Sequence, residues 1–254
     1  MNRTGLIVAL VIAAIVGTVF GLFPELDLAI AAPFYAMTNA NHDVFAWRLS
    51  PALNNARDAG LWVGTVLVAP AIVVVIMKLV VPRRKMFISG SAAIFLMLTM
   101  AVGPGLLVNV ILKDHWGRPR PIDVTQFGGD QHFVPWWDPR GDCPGNCSFV
   151  SGDVSGAFWT LAPASLAPPQ WRVLVYGCAL ALGGGMAIMR MMAGAHFFTD
   201  TVFAGVFTFL VIWLTHGLVF RWRTRFAAGS VERALENISV PALLTWLFHR
   251  KTQI

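Results

Sequence analysis

Six apolar runs, each close to the length a bilayer demands, govern what this chain can become: about 5–23, 60–81, 86–112, 152–168, 172–192 and 199–220. A membrane-crossing helix takes roughly twenty consecutive apolar residues. Of the 254 residues, 56% are hydrophobic and 13% charged, against about a quarter charged in a soluble domain. The runs predict an all-α integral membrane bundle of six transmembrane helices, filling one domain over 1–225 with no internal repeat. The fourth run is the least regular, because Pro163 and the pair Pro168 and Pro169 interrupt it and proline breaks a helix interior. The net charge of +6 lies in short segments between the runs, which signals topology rather than nucleic-acid binding.

The first run, after Arg3, is longer than a signal-peptide core and closes on Leu22, Phe23 and Pro24 with no small-residue cleavage site, so it predicts a retained helix. Arg3, the group Arg83, Arg84 and Lys85, Arg172, and the group Arg221, Arg223 and Arg225 fall on one side of alternating spans. By the positive-inside rule that side is cytoplasmic, with both termini. The tail over 226–254 has spaced apolar residues and a basic end at His249, Arg250 and Lys251, a pattern that predicts an interfacial amphipathic helix. The opposite side receives 24–59, the loop 113–151 and the turn 193–198. Cys143 and Cys147 in that loop flank a Pro-Gly turn and suit a disulfide in an oxidising compartment, whereas a zinc site lacks a second ligand pair.

Lys113, Arg118 and Arg120 form the densest basic cluster on the outer side, against the positive-inside trend. They are either interfacial anchors or an anion site, since guanidinium and ammonium groups are the usual partners of phosphate oxygens. Other outer helix ends favour the anion site. Ser151 and Gly152 open the fourth run, where unpaired backbone N–H groups receive an anion, and Asp153 follows. Arg190 closes the fifth run, and His196 and Asp200 open the sixth. His196 and Asp200 are four residues apart, which suits a nucleophile or base oriented by a carboxylate. Phosphoryl transfer needs little beyond positioning and charge stabilisation.

These motifs resemble the type 2 phosphatidic acid phosphatases, integral membrane lipid phosphatases related to vanadium haloperoxidases. Lys113 through Arg120 and Pro121 matches the family's Lys-x6-Arg-Pro. Arg190, His196 and Asp200 match its Ser-Arg-x5-His-x3-Asp, with Met189 where Ser is usual. Val150 to Asp153 meets its Pro-Ser-Gly-His only in part. The matching order covers about 60–220. The resemblance implies a metal-independent and cofactor-free phosphatase acting through a phosphohistidine, with His196 as nucleophile and Asp200 as its orienting carboxylate. It implies that Lys113, Arg120, Arg190, Ser151 and Gly152 hold the phosphate of a membrane lipid at the periplasmic face of a bacterial inner membrane.

Asp153 stands where the family has the His that protonates the leaving oxygen. A carboxyl of ordinary pKa near 4 is a poor acid at neutral pH. The alternatives are a tuned Asp153, a donor from His115 or His132, or a leaving group that needs no proton. Arg118 lies outside the motif spacing and is left as a headgroup contact or a spacer. The surrounding motif residues resemble the lipid A 1-phosphatase branch, whose anomeric phosphate leaves easily. Phosphatidylglycerol phosphate and polyprenyl pyrophosphate phosphatases are the neighbouring alternatives, as is transfer of the phosphoryl group to a second lipid. A transporter is disfavoured because no span carries an ionisable side chain near its centre.

Overall fold

The computed structural model describes residues 3–35, 45–222 and 229–241. Those residues are helical and contain no strand. Five helices are long and apolar enough to cross a membrane: α1 (Arg3–Leu22), α3 (Pro51–Val80), α4 (Gly90–His115), a fourth over Pro169–Met192 whose α-helical part is α7 (Arg172–Met192), and α8 (Phe198–Phe220). The short α2 (Glu25–Ala31) follows α1 and runs on as a tighter turn through Pro33.

The fourth of the six expected spans, 152–168, is replaced by two short helices, α5 (Gly152–Phe158) and α6 (Leu161–Ser165). Pro163 is the physical reason. It cannot donate to the Trp159 carbonyl, four residues back, and its ring crowds that oxygen. The chain tightens there instead, with Ala162 N–H donating to Trp159 O at 2.8 Å. Protein rather than lipid surrounds this pair. Trp159 is fully buried and donates through Nε1 to Thr99 Oγ1 at 3.0 Å, and Ser155 and Thr208 share a hydroxyl bond of 2.7 Å. A short broken helix survives in the middle of the bundle because its polar groups find partners on α4 and α8.

Helix α3 begins at Pro51 rather than near residue 60. Ser50 caps it by accepting from Leu53 N–H at 3.4 Å, and Pro51 occupies the first turn, where a missing N–H costs nothing. The earlier start places Arg57 and Asp58 on the helix. In α4, Pro104 lies inside the half nearer Lys113 and the winding widens to a π-helix over Ala101–Leu112. A proline inside a helix removes one ladder bond, and a wider turn re-pairs the carbonyls. Asn109 fills that turn, donating through Nδ2 to Pro104 O at 2.7 Å.

The tail packs against the bundle where it is described. Helix α9 (Ser230–Asn237) docks on the bundle at the end opposite Lys113, burying Val231 and Leu235. Glu232 accepts from the first N–H of α4, Gly90, at 2.7 Å, and Glu236 accepts from the buried Lys78 at 2.6 Å. The basic stretch 249–251 lies outside the described residues.

Candidate active site

His196 is placed by the turn between α7 and α8. Gly194 has φ +63°, and a Cβ there would stand 2.3 Å from the Phe45 ring, so only glycine fits this position. The Asp200 side chain then accepts from Phe197 N–H at 2.8 Å, closing the first turn of α8 just beyond His196. The imidazole is 2% exposed, and its Nδ1 lies 2.7 Å from the Ser148 carbonyl oxygen. A carbonyl only accepts, so Nδ1 carries the proton of the neutral ring and Nε2 keeps the lone pair. Burial pushes the His196 pKa well below its ordinary value, and the charges of Arg190 and Arg120 push the same way. At neutral pH this ring is an uncharged imidazole with its lone pair on Nε2.

Asp200 does not touch that ring. Its Oδ2 stands 4.0 Å from His196 Nδ1, beyond hydrogen-bond reach. The same oxygen accepts from the Ser148 hydroxyl, so Asp200 holds the residue whose carbonyl holds His196. The orienting role expected of one carboxylate is divided between a backbone carbonyl and the side chain behind it.

Arg118 completes this inner layer. It is fully buried and donates to Asp200, to Asp27 at 2.8 Å, to Thr199 Oγ1 at 2.8 Å and to Val134 O at 3.1 Å. Its guanidinium lies 4.5 Å from the Phe197 ring centroid and 5.5 Å from that of Phe133. Asp27 also accepts from Thr199 N–H and Oγ1–H, at 3.1 and 2.6 Å. A cation enclosed by two carboxylates and two aromatic faces, and fully buried, presents no surface to a lipid headgroup. Arg118, left from sequence as a headgroup contact or a spacer, ties α2 to the start of α8. Removing one member of such a buried pair costs about 3–5 kcal/mol, because the other charge stays buried.

The outer layer is cationic. Arg120 donates to the Asn146 carbonyl through Nη2 at 2.7 Å and Nε at 3.2 Å. Asn146 sits at φ +52° inside the small loop closed by the Cys143–Cys147 disulfide, a conformation Asn tolerates better than most side chains. Cys147 N–H donates to Lys113 O at 2.8 Å, and Ser148 N–H to Arg118 O at 2.8 Å. One loop therefore ties together the ends of the Lys113–Arg120 stretch and the Ser148 that anchors His196. Lys113, Arg120 and Arg190 all lie close enough to His196 to affect its charge.

Ser151 caps α5, accepting from Val154 N–H at 3.5 Å. At Gly152 a Cβ would meet Asn109 Oδ1 at 2.5 Å, so the backbone of this helix start packs directly on the Asn109 side chain of α4. Asp153 lies in the first turn of α5, outside the five spans. Its Oδ2 accepts from Arg57 Nε at 2.6 Å and stands 3.1 Å from Arg190 Nε. Burial raises this carboxyl, but the Arg57 hydrogen bond and the charges of Arg190, Arg57 and Lys113 outweigh it and hold the group below its ordinary value. Asp153 is an ion-paired carboxylate, and the tuned acid considered from sequence does not match its surroundings.

A cavity of about 510 Å³ is walled by Arg48, Arg57, Arg120 and Arg190 with Asn54, Asn146 and the Asp123 carboxylate, while His196, Lys113, Ser151 and Gly152 lie behind its lining. Ala195, beside His196, reaches its wall. His115 takes no part: exposed, its Nδ1 lies 3.0 and 3.1 Å from the Ile111 and Val110 carbonyls of its own helix. His132 is exposed as well. Among the described residues no group of three or more His, Cys, Asp or Glu converges as a metal site would require. Sequence reasoning missed Asp27, Arg48, Arg57, Asn109 and Ser148. Only Arg57 left a signal, since Ser50 followed by Pro51 marks a helix start ahead of it; the other four depend on contacts between distant segments.

Three curated relatives are similar to this chain. A lipid A 4'-phosphatase of Francisella tularensis subsp. novicida (strain U112) is 34% identical over 222 residues, covering 87% of this chain and 98% of that protein. Lipid A 4'-phosphatases of Rhizobium leguminosarum and Rhizobium etli are each 43% identical, over 104 and 101 residues. Those two matches cover 41% and 40% of this chain, and 45% and 39% of the respective relatives. The relatives correct the expected branch, since all three are named for the 4' position and not for the 1 position. No solved structure matches. The family model of the PAP2 superfamily matches residues 92–224, which contain Lys113, Arg120, Asp153, Arg190, His196 and Asp200, and the chain belongs to that superfamily.

Proposed function

We propose that this membrane phosphatase removes a phosphate from lipid A, at the 4' position, by transfer through His196. The observation that carries the proposal is the pairing of a neutral imidazole, with its lone pair fixed on Nε2 by the Ser148 carbonyl, and a cavity walled by guanidinium groups. Nε2 attacks phosphorus as the bond from phosphorus to the lipid oxygen breaks and that oxygen takes a proton from water, while Lys113, Arg120 and Arg190 hold the three terminal oxygens, helped by the backbone at Ser151 and Gly152. Water then cleaves the N–P bond and returns the neutral ring. The cations stabilise charge that builds up in both transition states. Asp200 and Arg118 act as positioning residues, through Ser148 and the α8 start.

The 4' position rests on the names of the three relatives, and it alters the chemistry. A 4'-oxygen is not anomeric, so the expectation of an easily leaving group no longer excuses the ionised Asp153. Charge on the departing oxygen falls to the surrounding guanidinium groups and to cavity water. The active site faces the periplasm of a bacterial inner membrane on this account, because the basic inter-helix segments lie at the other end.

The test uses purified protein in detergent with lipid A phosphorylated at both positions, and fragmentation mass spectrometry to locate the loss. The 4'-phosphate is expected to be released and the 1-phosphate retained. Loss from the 1 position overturns the regiochemistry, and loss from neither overturns the substrate class.

A further inference from the structure

Asp153 poses a problem for an anion site. Its Oδ2 lies 3.1 Å from Arg190 Nε, and Arg190 is one of the residues proposed to hold phosphate. Carboxylate and phosphate oxygens are the same kind of partner for a guanidinium. A carboxylate at that distance is an internal competitor for the substrate.

The competition is not consummated. Arg190 Nε is buried and has no hydrogen-bond partner among the described residues, so the 3.1 Å approach lacks the alignment of a bond. The same Asp153 oxygen is instead aligned on Arg57 Nε at 2.6 Å. Arg57 reaches it from α3, Arg190 from α7, and Asp153 itself belongs to α5. Arg57 is one-third exposed on the cavity wall and stays hydrated, whereas the Arg190 side chain is 15% exposed. A buried donor without a partner is costly to leave so, and an arriving phosphate oxygen removes that cost.

We propose that Arg57 is a positioning residue that draws the Asp153 carboxylate onto itself and so keeps the Arg190 guanidinium available to phosphate. The inference rests on the phosphate site proposed above. With Arg57 neutralised, the carboxylate turns onto Arg190 and phosphate must displace it. With Asp153 neutralised as well, the competitor is gone and Arg190 is available again. A merely structural pair behaves differently, since a second substitution does not repair the first.

The experiment measures binding of radiolabelled orthophosphate by equilibrium dialysis to the full-length protein in detergent. Arg57→Gln is expected to weaken binding about tenfold, the scale of one charge-assisted hydrogen bond. Arg57→Lys is expected to retain most of the affinity, and Arg57→Gln combined with Asp153→Asn to restore it. A double variant no better than Arg57→Gln overturns the inference, as does an Arg57→Gln protein that fails to fold and is not rescued by Asp153→Asn. If the wild type binds no orthophosphate, the phosphate-site reading itself falls, which is a distinct result.

Discussion

At the scale of single residues, the site depends on where protons and charges are held. The Ser148 carbonyl fixes the proton of His196 on Nδ1, and burial with Arg190 and Arg120 nearby keeps the ring neutral. The sign of the consequence follows from linkage. The folded pKa is depressed, so between it and the unfolded value near 6.5 the unfolded chain binds the additional proton. Stability contributed by the neutral buried ring is therefore complete above about pH 6.5 and is lost as the pH falls below it. Thermal unfolding followed from pH 8 to 5 is expected to show this decline in the wild type and a shallower one in His196→Gln. Parallel profiles would show that the ring is not held neutral. Arg118 illustrates what sequence does not reveal at this scale. Its motif spacing says only that it lies outside the clamp, while its partner Asp27 is 91 residues away in the chain.

At the scale of elements, helix ends were legible where apolar runs stop, whereas the α3 start was expected near residue 60 although Ser50 and Pro51 mark it. Ser50 with Pro51 moves the α3 start outward, and that shift turns Arg57 from a loop charge into a wall of the cavity. The fourth run was legible as apolar and interrupted. Its division into α5 and α6 was not, because it depends on α4 and α8 supplying Thr99 and Thr208 to its polar groups. The α7–α8 turn is the element on which the chemistry most depends. Gly194→Ala adds a Cβ into the Phe45 ring at positive φ, so His196 must shift. A displacement near an ångström costs on the order of a hundredfold in rate. Phosphate release by this variant is expected to fall by about that factor, and wild-type rates would show that the turn does not set the imidazole position.

At the scale of the whole molecule, three separate helix ends bring their charges to one cavity, and the opposite end is closed by α9 on α3 and α4. Sequence order placed Lys113, Arg120, Arg190, His196 and Asp200 together because alternating spans return to the same membrane face. What it left out is the second tier behind them, since a buried pair such as Arg118 with Asp27 joins segments whose separation carries no periodic signal. Under the proposed function the two tiers divide the labour: an inner network fixes one imidazole, and the outer cations are assigned to the phosphate. On the same proposal, the phosphoryl group passes to His196 before it reaches water. Each displacement at phosphorus inverts its configuration, so two in succession restore it. Hydrolysis in isotopically labelled water of a lipid thiophosphate made chiral by oxygen-isotope labelling is predicted to give product with retained configuration. Inverted product would mean that water attacks directly, and would contradict the role assigned to His196.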